Sequence, residues 1–73
     1  SNLLNKYRIK EACKRIEDKE QYSGFTLEAI GNSVGFKSRS SFIAAFKQIT
    51  GLTPFDFQRN IDAKAREKHS DFV

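Results

Sequence analysis

Residues 26–49 read TLEAIGNSVGFKSRSSFIAAFKQI, and the fold turns on this stretch. Thr26 is a hydroxyl-bearing N-cap, and Glu28 follows in the first turn, where a helix dipole favours an anion. Gly35 stops this short helix by supplying a left-handed backbone position. Phe36 and Lys37 complete the turn, and Ser38 caps a second helix that runs to about Thr50. In that helix Phe42, Ala45, Phe46 and Ile49 form one apolar stripe. Two short helices on a tight glycine turn make a helix-turn-helix, in which the first helix crosses the second closely. The crossing residue must be small, and Gly31, four residues before Gly35, meets that demand. A glycine inside a helix costs about 1 kcal/mol relative to alanine unless packing requires it. Leu27, Ile30, Val34, Phe36, Phe42 and Phe46 then supply a shared core that pins the angle between the helices.

Working outward, residues 1–20 read as one amphipathic helix. Ile9, Ala12, Cys13 and Ile16 follow the i, i+3, i+4, i+7 rule, Leu4 adds to them, and Lys6, Lys10, Lys14 and Glu17 take the other side. Gln21 to Phe25 lose the period around Gly24 and read as a loop. On the far side Gly51 closes the helix of 38–50, and Thr53-Pro54 opens another over 53–66, with Thr as N-cap and Pro at the first helical position. Phe57, Ile61 and Ala65 are its buried candidates. Residues 67–73 are polar and uncapped, and are expected to fray. The chain is therefore expected to be all-α, a single domain of about four helices.

Composition removes other classes. The 73 residues carry 13 Lys and Arg against 9 Asp and Glu, a net charge of +4. A chain of this size holds one small core, and an enclosed substrate pocket of roughly 300 Å³ would consume most of it, so no catalytic residues are expected. With one cysteine, Cys13, and one histidine, His69, neither an internal disulfide nor a Cys/His zinc site can be built. No metal and no cofactor are expected. Cys13 reads as a small core residue of the first helix and His69 as solvated. No apolar run approaches the roughly 20 residues of a membrane span, and no signal peptide is present, so a cytoplasmic location is expected. A start at Ser1 without Met suggests an excised piece of a longer chain.

The charge acquires meaning from its placement. Lys37, Ser38, Arg39, Ser40, Ser41, Ile43, Ala44, Lys47 and Gln48 avoid the core stripe and include no acid. Over 26–52 the basic residues are Lys37, Arg39 and Lys47 against Glu28 alone, while the remaining acids sit in the flanking helices. A helix start rich in hydroxyls and cations can clamp phosphate, and the DNA-binding form of this motif lays its second helix in the major groove. A second reading is a helical interaction module contacting RNA polymerase or a sibling domain, with Leu3, Leu4, Tyr7 and Ile43 as its apolar face.

Gly35-Phe36-Lys37-Ser38-Arg39-Ser40-Ser41-Phe42, then Phe46-Lys47, Thr50-Gly51 and Thr53-Pro54-Phe55-Asp56-Phe57, resembles the C-terminal signature of the AraC/XylS regulators, roughly G-F-x-[DS]-x-S-x-F, F-K and G-x-[ST]-P-x-x-[YF]. Tyr7-Arg8-Ile9-x-x-Ala12 resembles the linker helix that precedes it, so the likeness spans about Leu3 to Arg59. The resemblance implies a homeodomain-like helix-turn-helix and sequence-specific DNA binding by a bacterial transcription regulator. It also implies two such units joined by the linker helix, of which this chain holds the linker and the second. The first unit would precede Leu3, and a regulatory domain is expected elsewhere in the whole protein. Carried over by position, Arg39, Ser40, Ile43 and Ala44 are expected at base edges. Lys37, Ser38, Ser41, Lys47, Gln48 and Thr53 are expected at phosphates. Two positions depart from the pattern: Ala44 stands where many members have Arg, and Ile43 where a polar residue is common. Readout is therefore expected to lean on Arg39 and on contacts to thymine methyl groups.

Overall fold

The computed structural model describes the backbone of residues 2–70 and the side chains of residues 3–64. Five helices follow one another: α1 (Asn2–Glu17), α2 (Lys19–Tyr22), α3 (Leu27–Ser33), α4 (Arg39–Thr50) and α5 (Pro54–Ser70). No strand is present among the described residues, and the all-α helix-turn-helix architecture is the observed one. Two boundaries differ from expectation. The first helix breaks at Asp18, whose carboxylate accepts the Gln21 amide at 3.1 Å and so starts the separate single turn α2. The last helix runs on to Ser70 rather than ending near Arg66, because no Gly or Pro interrupts residues 55–70 and good helix formers fill them. Residues 71–73 and the Ala65 side chain lie outside the described residues.

Each cap expected around the helix-turn-helix is made. Thr26 Oγ1 accepts the Ala29 amide, Ser38 Oγ accepts that of Ser41 and Thr53 Oγ1 accepts that of Asp56, all at 3.1 Å. At the end of α3 the Phe36 amide reaches the Gly31 carbonyl at 3.0 Å, and the Gly35 amide reaches that of Asn32 at 3.1 Å. This paired closure needs a positive φ at its central residue, and Gly35 has φ +113°. Gly51, at φ +82°, ends α4 in the left-handed region with its amide on the Lys47 carbonyl.

The core joins four helices. Ile9, Ala12 and Ile16 of α1 are buried with Leu27 and Ile30 of α3, Phe36 of the turn, and Phe42, Ala45 and Phe46 of α4. Cys13, Val34, Phe57 and Ile61 pack on its edge. The aromatic rings run as a relay, Phe36 to Phe42 to Phe46 to Phe57, with centroids 5.5, 5.7 and 5.4 Å apart. Helix α1 touches every other helix, so the linker segment is part of this core rather than an appendage to it. Ile49 departs from its expected place in the stripe: it is 37% exposed and lines a shallow groove with Asn5 and Lys6 of α1. Surface grooves of about 320 and about 430 Å³ lie between helices and leave the core filled.

Gly31 meets Phe42 at the crossing of α3 and α4. A Cβ built on Gly31 would stand 2.7 Å from both Cγ and Cδ2 of the Phe42 ring, inside any allowed contact. The Gly31→Ala variant gains helix propensity but must displace a fully buried ring. Urea unfolding should show a net loss of about 1–3 kcal/mol; an unchanged or raised stability would contradict this packing.

Cys13 makes a second, chemical statement about the core edge. Burial first, and the Glu17 carboxylate second, push its thiol above the ordinary cysteine range. The folded chain therefore holds the neutral thiol, and stability supplied this way is lost as pH rises through the ordinary thiol value. Thiol labelling followed against pH should have its midpoint above that of free cysteine and should accelerate on unfolding; a midpoint below it would contradict the placement.

Candidate nucleic-acid interface

Helix geometry sorts α4 into three strips. At about 100° per residue, Phe42, Ala45 and Phe46 face the core, and Ser40, Ala44 and Lys47 lie opposite. Arg39 and Ile43 occupy the flank that turns toward the start of α5. Accordingly Lys37, Ser38, Arg39, Ser40, Ser41, Ala44, Lys47 and Gln48 are all exposed. Ile43 is half-buried and lines a groove shared with Arg39, Glu28 and Phe55. Thr53 is half-buried at the start of α5. Of the residues expected at base edges, Ser40 and Ala44 thus share the outward strip with Lys47, while Arg39 and Ile43 lie on the flank beside it, Gln48 lies on the other flank and Thr53 stands apart, across the α4–α5 turn.

Two hydroxyls at the helix start already have internal work. The Ser38 hydroxyl caps α4 and donates to Ser41 Oγ at 2.9 Å. The first-turn amides of α4 stand beside them at the positive end of the helix dipole. Among the described residues, Lys37, Arg39 and Lys47 enter no ion pair. The ion pairs fall elsewhere, Glu11 with Lys14 and Arg15, Lys19 with Asp62, and Arg59 with Asp56. The cations of this face are therefore uncommitted, whereas several of those behind it are partly neutralised.

Several supporting residues escaped the reading of the sequence. Arg8 of α1 lies over the Phe36 ring at 5.6 Å and against Gly35, bracing the turn from behind. Arg15 donates to Ser33 Oγ at 2.8 Å and lies over the Tyr22 ring, tying α1 to the end of α3 and to α2. Thr50 Oγ1 stands 2.8 Å from the Phe46 carbonyl and accepts the Leu52 amide at 3.1 Å, which secures the turn into α5. The Arg39 guanidinium stacks over Phe55 at 5.6 Å. The partners of Arg8, Arg15 and Arg39 are far away in sequence, so no spacing rule announces them. Asp18, three residues before Gln21, and Thr50, whose partners lie four residues before and two after it, carried local signals.

With this geometry in view, the comparisons with known proteins are decisive for the family. The family model described as "Helix-turn-helix domain", of AraC type, matches residues 1–60. The chain belongs to the AraC-type helix-turn-helix family. It is accordingly a DNA-binding helix-turn-helix domain of the transcription-regulator type. A Streptomyces lividans protein described as an AraC-like transcription regulator is 32% identical over 57 residues. That match covers 78% of this chain and 17% of the relative's length. No solved structure gives a significant match. No helix among the described residues is long and apolar enough to cross a membrane.

The Ser38 cap can be separated from any outward contact by paired variants. Ser38→Ala should lower stability by about 1 kcal/mol, while Ser38→Asn, which retains a capping oxygen, should stay within a few tenths. Thermal or urea unfolding checks both; equal losses would show that the side chain does not cap α4.

Proposed function

We propose that this chain binds double-stranded DNA sequence-specifically, with α4 in the major groove, as part of a bacterial transcription regulator. One observation carries the reading. Outside its core strip α4 holds Arg39, Ser40, Ala44, Lys47 and Gln48, all exposed, with no acid among them. The helix presenting them is fixed from behind by the Gly31–Phe42 contact and the Phe relay. A major groove about 12 Å wide admits such a helix.

The proposed roles follow from side-chain chemistry. Arg39 reads a guanine through O6 and N7 with its planar fork. Ser40 and Ala44 reach adjacent base edges, and Ile43 offers its exposed part to a thymine methyl. Lys37, Lys47 and Gln48 hold phosphates, joined by the Ser41 hydroxyl and the helix-start amides at Ser38. Thr53 takes a phosphate at the start of α5 through its backbone. Partners proposed for the whole protein are a first helix-turn-helix unit, a regulatory domain and RNA polymerase, with the cytoplasm as its location.

Binding to a random-sequence duplex pool at increasing salt, followed by selection of preferred sequences, tests the reading. Affinity should fall steeply with salt as phosphates are neutralised and counterions released. Arg39→Ala should cost about 1–3 kcal/mol at one base position and relax preference there. Lys47→Ala should weaken all sequences alike and reduce the salt slope by about one. Salt-independent binding, or variants indistinguishable from the parent, would overturn the proposal.

A further inference from the structure

Phe55 is a large ring without a core task. It stays 43% exposed and stands outside the Phe36–Phe42–Phe46–Phe57 relay. Its backbone is nevertheless held firmly. Thr53 caps the helix start beside it, and Pro54, one of the most completely buried side chains, wedges that start against the groove. Among the described residues its one aromatic or cation–π partner is the Arg39 guanidinium, whose Cζ lies 5.6 Å from its centroid. Among the described residues Arg39 has no ion pair and no hydrogen bond, so this stack is what orients it.

The geometry points to Phe55 as a positioning residue for base readout: it fixes the Arg39 fork on the α5-side flank of α4, next to the outward strip of Ser40, Ala44 and Lys47, before DNA arrives. This inference rests on the DNA-binding reading above and deepens it. The physical basis is that stacking and hydrogen bonding use different parts of a guanidinium. The ring takes one face, and the N–H groups, which lie in the plane, remain free for a bidentate acceptor pair. A free arginine carries substantial rotamer entropy that it must lose on contact; a pre-stacked one has already lost part of it. Specificity at the position read by Arg39 then depends on a side chain that touches no base, sixteen residues further along the chain.

The test combines Phe55→Leu, Phe55→Trp, Arg39→Ala and the double variant Phe55→Leu with Arg39→Ala. Each is compared by its base preference on the duplex selected by the parent chain. Phe55→Leu should lower discrimination at the Arg39-dependent position about 2–5-fold, while the salt slope and binding to random duplex stay unchanged. Phe55→Trp, which keeps an aromatic face, should retain discrimination. In the Arg39→Ala background Phe55→Leu should have no further effect on preference. NMR of the free chain supplies a readout without DNA: the Arg39 side-chain protons should carry an upfield ring-current shift that Phe55→Leu removes. If Arg39→Ala relaxes preference and Phe55→Leu does not, the positioning role falls while the DNA reading stands. If Phe55→Leu weakens binding equally with and without Arg39, the ring contacts DNA or supports the fold, and the positioning role falls likewise. If Arg39→Ala leaves preference untouched, both the base contact and the positioning role fall.

Discussion

Everything that presents α4 to a partner depends on a missing atom, the Cβ that Gly31 does not have. Its absence lets the Phe42 ring lie directly on the backbone of α3, where a methyl group would intrude to 2.7 Å. That contact sets how closely the two helices cross. It also places Phe42 where it meets Phe36 on one side and Phe46 on the other, so that the turn, α4 and α5 share one aromatic chain. Glycine's cost in helix propensity is offset by burial of a whole phenyl ring, one of the larger single contributions available to a chain of this size.

The core and the exposed face of α4 are therefore consequences of one arrangement. A small domain has little apolar surface to bury, and here most of it goes into fixing one helix. Helix α1 serves the same end from behind. Its Ile9, Ala12 and Ile16 enter the core, and Arg8 lies over the turn at Phe36. The ion pairs sit on α1, α2 and α5, which leaves the cations of the α4 face unpaired among the described residues. A positive, acid-free helix side on a rigid support suits a polyanion whose groove has fixed dimensions.

The local features were legible in the sequence because their physics is local. Thr26, Ser38 and Thr53 are cap residues whose oxygens act within three residues, and Gly35 and Gly51 mark positive φ by their identity. The core face of α4 was legible from period alone, except at its end. Ile49 has the right phase, but whether a residue is covered depends on how closely α1 packs over it, and periodicity within α4 holds no information about that. The same reason hid Arg8 on Phe36, Lys19 on Asp62 and Arg39 on Phe55, pairs that meet only through the tertiary fold. The break at Asp18 was hidden differently: the apolar period of α1 continues up to it, and the pull of its carboxylate on the Gln21 amide outweighs that continuity.

The proposed function requires α4 to be the surface that meets DNA. The most direct measurement is a residue-by-residue map of amide and side-chain NMR shifts as the chain is titrated with duplex DNA. Changes should concentrate at Lys37 to Ser41, at Ala44, Lys47 and Gln48, and at the Arg39 and Phe55 side chains, with the buried Phe42 and Phe46 moving little. A map centred instead on Leu3 and Tyr7, or on the outer side of α5, would contradict the account.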